Sequence, residues 1–142
     1  MITIPKRSLD SIIYGKKRME LVFVKDKLEH PYNAVKQNDI LYFTPRGGLA
    51  SIKARVSKVE MFNNIDFNRI QKIIGENRSL LSKDDMIIEN KMKTKHMMAV
   101  HFDNVLDIKP FRLNDAALKN VKNSRWISMN KFFDMKDDLV VR

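Results

Sequence analysis

Three consecutive cations followed by a carboxylate are the side chains best suited to bind a polyanion or to transfer a proton. They are Lys16, Lys17, Arg18 and, two residues later, Glu20. Each cation that neutralises a phosphate adds salt-dependent affinity for nucleic acid, and its alternative is a solvated charge. Glu20 can accept a hydrogen bond from a base or, with a raised pKa, act as a general base. Its alternative is an ion pair with Lys17 or Arg55.

Further candidate contacts to nucleic acid lie beyond this cluster. Thr44 and Arg46 belong to a turn with two glycines, which either lets a ligand approach the backbone closely or is an ordinary hairpin turn. Lys53 and Arg55 share one face of a predicted strand and form a basic stripe that can follow a phosphate backbone. Trp126, the only tryptophan, either stacks on an unpaired base or fills the core.

Several classes of site are absent from the sequence. Cysteine does not occur, so a disulfide, a thiol nucleophile and a cysteine-ligated metal are excluded. The histidines His30, His96 and His101 lack the spacing of a metal site, and the last two point to opposite faces of a probable strand. No P-loop, dinucleotide-binding glycine motif or Ser-His-Asp set is found. We therefore predict neither a metal nor a cofactor.

The composition favours a polyanionic partner. The 142 residues suit a single domain, 1–142, with 44% hydrophobic and 31% charged residues. Lysine and arginine number 27 against 17 acidic residues, a formal net charge of +10. Such an excess promotes association with nucleic acid. No signal peptide, membrane span or amphipathic membrane-binding segment is apparent, so we expect a soluble, cytoplasmic protein.

The first elements that must position these residues are a strand and a helix. Residues 1–4 alternate, and three of them, Ile2, Thr3 and Ile4, are β-branched, which predicts a short strand. Leu9, Ile12 and Ile13 mark one face of a helix that Ser8 caps and Gly15 closes. Residues 18–24 then alternate between apolar and other side chains, the pattern of a half-buried strand with Glu20 on its polar face.

The rest of the chain reads as further strands with helices inserted. Strands are predicted at residues 39–44, 50–62 and 97–105, the second with a bulge near Ser57 where the alternation slips by one residue. An apolar stripe at residues 65–74, interrupted by Gly75, and a stretch from Ser82 to about Lys93 predict two helices. The order of elements predicts an α+β fold with a mostly antiparallel, barrel-like sheet.

Three segments carry recognisable motifs: residues 15–21 read GKKRMEL, residues 37–43 read QNDILYF and residues 54–62 read ARVSKVEMF. Together they resemble the ASCH family of the PUA-like superfamily of small β-barrels. In order, they resemble its signature G-K-K-x-x-E-x-R, its strand entry x-G-D-x-l-x-F and its long strand a-x-V-x-x-V-x-x-y. Residues 105–111 (VLDIKPF) are similar to a v-x-p-f stretch of related domains. Asn38 replaces the usual glycine and tolerates positive φ, while Val22 replaces the second basic residue of the signature.

The resemblance implies a β-barrel whose cleft accepts RNA or a nucleotide base. Some small members hydrolyse the amide of N4-acetylcytidine with a lysine and a threonine of the signature and a downstream glutamate. By position the lysine is Lys17, but Glu20 occupies the threonine position and supplies no hydroxyl. The leading prediction is therefore an RNA- or nucleotide-binding domain with a basic cleft. The alternatives are an amidohydrolase on a modified nucleoside, with Lys17 and Glu20 catalytic, and a non-catalytic regulatory module that binds an acidic protein.

Overall fold

A five-stranded sheet organises the protein, of which a computed structural model describes residues 2–4, 6–28, 31–45, 49–86 and 95–111. The elements are β1 (Ile2–Ile4), α1 (Lys6–Ile13), β2 (Met19–Val24), β3 (Ile40–Pro45), β4 (Ala50–Phe62), α2 (Phe67–Glu76), two 3₁₀ helices (Arg78–Leu80 and Lys83–Met86) and β5 (His96–Phe111). The strand order is β1-β3-β4-β5-β2, with β1 parallel to β3 and every other pair antiparallel. The α+β class is confirmed. Within the described residues the sheet has open edges at β1 and β2, so closure into a barrel stays a prediction.

Gly15 ends α1 and turns the chain toward β2, as predicted. Its φ of +79° lies in the left-handed region that glycine adopts without a Cβ clash. The Gly15 N–H donates to the Ile12 carbonyl at 3.1 Å, and the Lys16 N–H donates to the Ser11 carbonyl at 2.8 Å. These two bonds form a Schellman motif, which satisfies the last carbonyls of the helix.

The helix boundaries differ from the prediction in three places. Ser8 is not the N-cap, because α1 already begins at Lys6 and places Ser8 inside the first turn. Helix α2 is capped by Asp66, whose Oδ1 accepts the Arg69 N–H at 2.7 Å. The helix also continues through Gly75, since one glycine weakens a helix interior without breaking it.

The long strands β4 and β5 pair with irregular register. The register shifts between Val56 and Lys58, leaving Ser57 as an extra residue on β4, so the predicted bulge is confirmed. A second shift, between Lys53 and Arg55, leaves one extra residue on β5 near Asn104, which has a φ of +52°. Strand β5 is longer than predicted, since pairing with β4 continues to Phe111.

Both faces of the sheet are covered around β2, so β2 is not the half-buried strand predicted. On one face Val22 and Val24 join a core cluster with Leu9 and Ile12 of α1 and with Met98, Val100 and Phe102 of β5. On the other face α2 packs Ile70, Ile73 and Ile74 against Met19, Leu21 and Met97. Alternation along one strand carries no information about a second covering layer. No helix in the described ranges is long and apolar enough to cross a bilayer.

Candidate functional site

A buried ion cluster lies where α1 leads into β2. The side chain of Lys17 is only 1% exposed, and its Nζ lies 3.1 Å from Glu20 Oε2 and 2.5 Å from Asp85 Oδ2. Glu20 is 2% exposed, whereas Asp85 is 16% exposed. One ammonium group is therefore shared by two carboxylates from different parts of the chain.

Local backbone contacts place Lys17 at this position. The Lys17 N–H donates to the Ser11 carbonyl, which continues the cap of α1. The Arg18 guanidinium donates to the carbonyls of Ile12 and Lys17, both at 2.7 Å, and fastens the junction to the end of the helix. The Arg18 N–H donates to the Leu80 carbonyl at 2.9 Å, which attaches the segment that carries Asp85.

Ser82 orients the Asp85 carboxylate toward Lys17. The Ser82 N–H and Oγ donate to Asp85 Oδ2 at 2.8 and 3.0 Å, and Ser82 Oγ lies 3.3 Å from Ser8 Oγ of α1. Ser82 directly precedes the second 3₁₀ helix, and its role as the cap of the predicted helix stays a prediction; residues 87–94 of that helix lie outside the described residues. Asp85 is not among the predicted site residues. Its spacing of three residues from Ser82 is that of a capping box, which signals a carboxylate turned back toward the cap.

The two carboxylates keep Lys17 protonated. Burial alone would lower the pKa of Lys17, but the charges of Glu20 and Asp85 outweigh it and raise the pKa above the ordinary 10.5. At neutral pH the side chain is therefore an ammonium group that donates hydrogen bonds and cannot accept a proton. Lys17 and Arg55 are the two ion-pair partners predicted for Glu20, and the structure pairs it with Lys17. Arg55 lies 3.3 Å from Asp103 Oδ1 instead.

The other predicted contacts fall into three groups. Lys16 is exposed, whereas Arg18 is half-buried against the end of α1. Thr44 is buried, with its hydroxyl donating to the Pro45 carbonyl at 3.1 Å. Arg46 and Trp126 lie outside the described residues.

Lys53 and Arg55 lie on the same face of β4, opposite the buried Ile52 and Ala54. Arg55 is exposed and Lys53 is half-buried, with Tyr42 of β3 as its cross-strand partner. Beyond the bulge, the exposed Lys58 lies 3.7 Å from Glu60. We call Lys53, Arg55 and Lys58 the basic stripe. It joins two predicted residues with a third that the bulge brings into line.

The histidines of β5 serve packing and pairing. His96 is buried, its Nδ1 accepts the Asn64 N–H at 3.1 Å, and its ring contacts Tyr32. His101 lies on the other face, 2.7 Å from Glu60 Oε1. Among the residues with a described structure, no group of three or more histidine and acidic side chains could hold a metal ion.

The fold has counterparts among solved structures. The crystal structure of ASCH from Zymomonas mobilis superposes with a TM-score of 0.58 at 15% identity, covering 96% of this chain and 94% of that one. The chain has the ASCH fold. Structures of a Tyr→Phe and a Ser→Ala variant of the same protein give TM-scores of 0.54 and 0.56, also at 15% identity and 96% coverage of this chain. No family model and no curated protein matches the chain. The resemblance to ASCH proteins is therefore confirmed at the level of the fold.

Proposed function

We propose that this ASCH-fold protein binds RNA, or a nucleotide within it, through its basic surface. The observation that carries the proposal is the basic stripe, which lies on the outer face of β4 in a chain with a net charge of +10. A row of cations along an extended strand can follow a phosphate backbone, and the half-buried Tyr42 beside it offers a ring for a base.

The proposed surface differs from the predicted cleft in the depth of its residues. Lys16 and Arg55 are exposed and Lys53 is half-buried, and these three are the cations proposed to contact phosphates, while the buried Lys17 and Glu20 support the junction. Arg18 and Thr44 likewise make contacts within the protein, and Arg46 and Trp126 remain predicted contacts. The basic surface is therefore proposed to bind and the ion cluster to hold the fold.

A salt titration of RNA binding tests the stripe. The double variant Lys53→Ala/Arg55→Ala should lower the slope of log K against log salt by about 1.4 for single-stranded RNA, since each lost phosphate contact contributes about 0.7. The matched control, Lys27→Ala/Lys36→Ala, removes the same charge from two exposed positions outside the sheet. Equal changes of the salt slope in both variants would refute the stripe as the RNA-binding surface. The net charge of +10 would then attract RNA without a specific binding site. Competition with duplex RNA, duplex DNA and free nucleosides then shows whether the protein recognises single strands, the sugar or the base.

The second candidate is the amidohydrolase, favoured by the convergence of Lys17, Glu20 and Asp85 within hydrogen-bond distance. The raised pKa of Lys17 makes this lysine unsuited to act as a general base, because its side chain stays protonated. Glu20 supplies no nucleophilic hydroxyl. Release of acetate from N4-acetylcytidine that disappears in Glu20→Gln would establish it. The regulatory-module alternative instead predicts no RNA binding at physiological salt.

The proposal also concerns the whole chain. We propose that residues 1–142 form one PUA-like domain, which a single cooperative unfolding transition would support. We also propose that the sheet of this domain closes into a barrel. A cytoplasmic location accords with the absence of cysteine and with access to RNA.

A further inference from the structure

Two grooves of equal size flank α2. The first, which we call the basic groove, runs between α2 and the second 3₁₀ helix and is lined by Ile74, Gly75, Arg78, Leu81, Lys83 and Met86, among others. The second, which we call the mixed groove, lies between α2 and the end of β4. Each encloses about 590 Å³. Size therefore does not distinguish them as binding sites.

The charges of the two grooves differ. Arg78 and Lys83 line the basic groove, and none of its described lining residues is a carboxylate. The mixed groove has two cations, Arg69 and Lys72, but also three carboxylates, those of Glu60, Asp66 and Glu76. A cleft lined by charge of one sign concentrates ligands of the opposite sign. An anionic ligand is accordingly favoured in the basic groove and disfavoured in the mixed one.

The floor of the basic groove is apolar. Ile74 and Leu81 are buried beneath it, and Met86 is half-buried at one side. Gly75 forms part of the wall, and a Cβ built there would meet no atom within 4 Å, so the wall faces open space. Gln71, at the exposed rim, offers an amide that can both donate and accept hydrogen bonds. An apolar floor below two cations matches a base with its flanking phosphates.

We infer that the basic groove binds one nucleotide of a single-stranded RNA. The base packs on Ile74, Leu81 and Met86, and Arg78 and Lys83 contact the adjoining phosphates. This inference rests on the proposed RNA binding and adds a base-binding position away from the basic stripe. The groove calls for a ligand that combines an apolar planar group with repeated negative charge, and single-stranded RNA, the ligand of the proposed function, meets this requirement.

The buried ion cluster fixes one wall of this groove. Ser82 lines the groove and donates to Asp85 Oδ2, which in turn accepts from Lys17 Nζ. The same 3₁₀ helix carries Lys83 and Met86. Lys17 is thus a positioning residue, which acts on the ligand through Asp85 and the wall that it holds.

The experiment compares charge removal on the two sides of α2. Arg78→Ala/Lys83→Ala removes one arginine and one lysine from the basic groove, and Arg69→Ala/Lys72→Ala removes the same types from the mixed groove. Binding of a labelled single-stranded RNA of about 12 nucleotides is followed by fluorescence anisotropy against salt. The first variant should lower the salt slope by about 1.4, and the second should leave it near the wild-type value.

A steric variant tests the groove without changing charge. Gly75→Leu places a side chain in the groove at a position where the backbone is not strained, and leucine favours the helix more than glycine does. It should weaken RNA binding about tenfold or more, the size of one lost base contact, with the salt slope retained. Asn68→Tyr adds a similar number of side-chain atoms to the mixed groove and should bind as wild type.

The outcomes separate this inference from the proposed function. If the wild-type protein binds RNA but the two charge variants behave alike, or Gly75→Leu binds as wild type, the groove assignment is wrong while RNA binding stands. If the wild-type protein binds RNA no better than it binds heparin, a polyanion without bases, the proposed function fails together with the inference.

Discussion

Replacing Lys17 with methionine should destabilise the fold strongly, because it leaves two carboxylates without the cation they share. Glu20 is the larger contributor, since it is 2% exposed and its Oε2 lies 3.1 Å from Lys17 Nζ. Asp85 is more exposed and keeps both Ser82 donors. Removing one partner of a buried ion pair costs about 3–5 kcal/mol of the free energy of unfolding. In a chain of this length that loss lowers Tm by about 10–17 °C.

Urea denaturation at neutral pH measures this loss, and a double-mutant cycle assigns it. Glu20→Gln combined with Lys17→Met should recover at least about half of the loss, because the buried carboxylate that lacks its cation is removed with it. A loss below about 1 kcal/mol in Lys17→Met, the range of an exposed ion pair, would refute the reasoning.

The remaining predictions concern pH, turns and charge. The folded-state pKa of Lys17 lies above the unfolded value of 10.5, so the stabilisation by its charge is complete below pH 10.5 and is lost as the pH rises through the folded pKa. The difference in Tm between wild type and Lys17→Met should therefore shrink at high pH. A difference that stays constant with pH would contradict this. Gly15→Ala should lower the free energy of unfolding by about 1–2 kcal/mol because Gly15 has a positive φ, whereas Gly75→Ala should raise it by about 0.5–1 kcal/mol. Urea denaturation midpoints that shift in the same direction in both variants would contradict this. Asp66→Ala should cost about 1 kcal/mol through loss of the α2 cap, read from the same denaturation curves. Asp103→Asn should cost less than about 1 kcal/mol yet strengthen RNA binding by releasing the exposed Arg55, and weaker binding would oppose the stripe.

The features predictable from sequence are those encoded in neighbouring residues. Gly15 follows a helical apolar stripe, and the bulge at Ser57 shows as a slip in an alternating pattern; both are local signals, and both are confirmed. The pairing of Lys17 with Asp85 joins residues 68 positions apart, and no local pattern encodes which distant segments meet. The burial of Glu20 likewise depends on the layers that cover β2, which its own alternation cannot reveal.

The bulge in β4 has a consequence for how relatives of this chain can be detected. Before the bulge, the even-numbered Ile52, Ala54 and Val56 face the core cluster that packs against α1. After the bulge, the odd-numbered Val59 faces this cluster. A homologue without the extra residue would have the opposite phase of polar and apolar side chains across this strand. Unless a gap is opened at Ser57, a column-by-column alignment would score such a pair as dissimilar through the strand even though the backbones superpose.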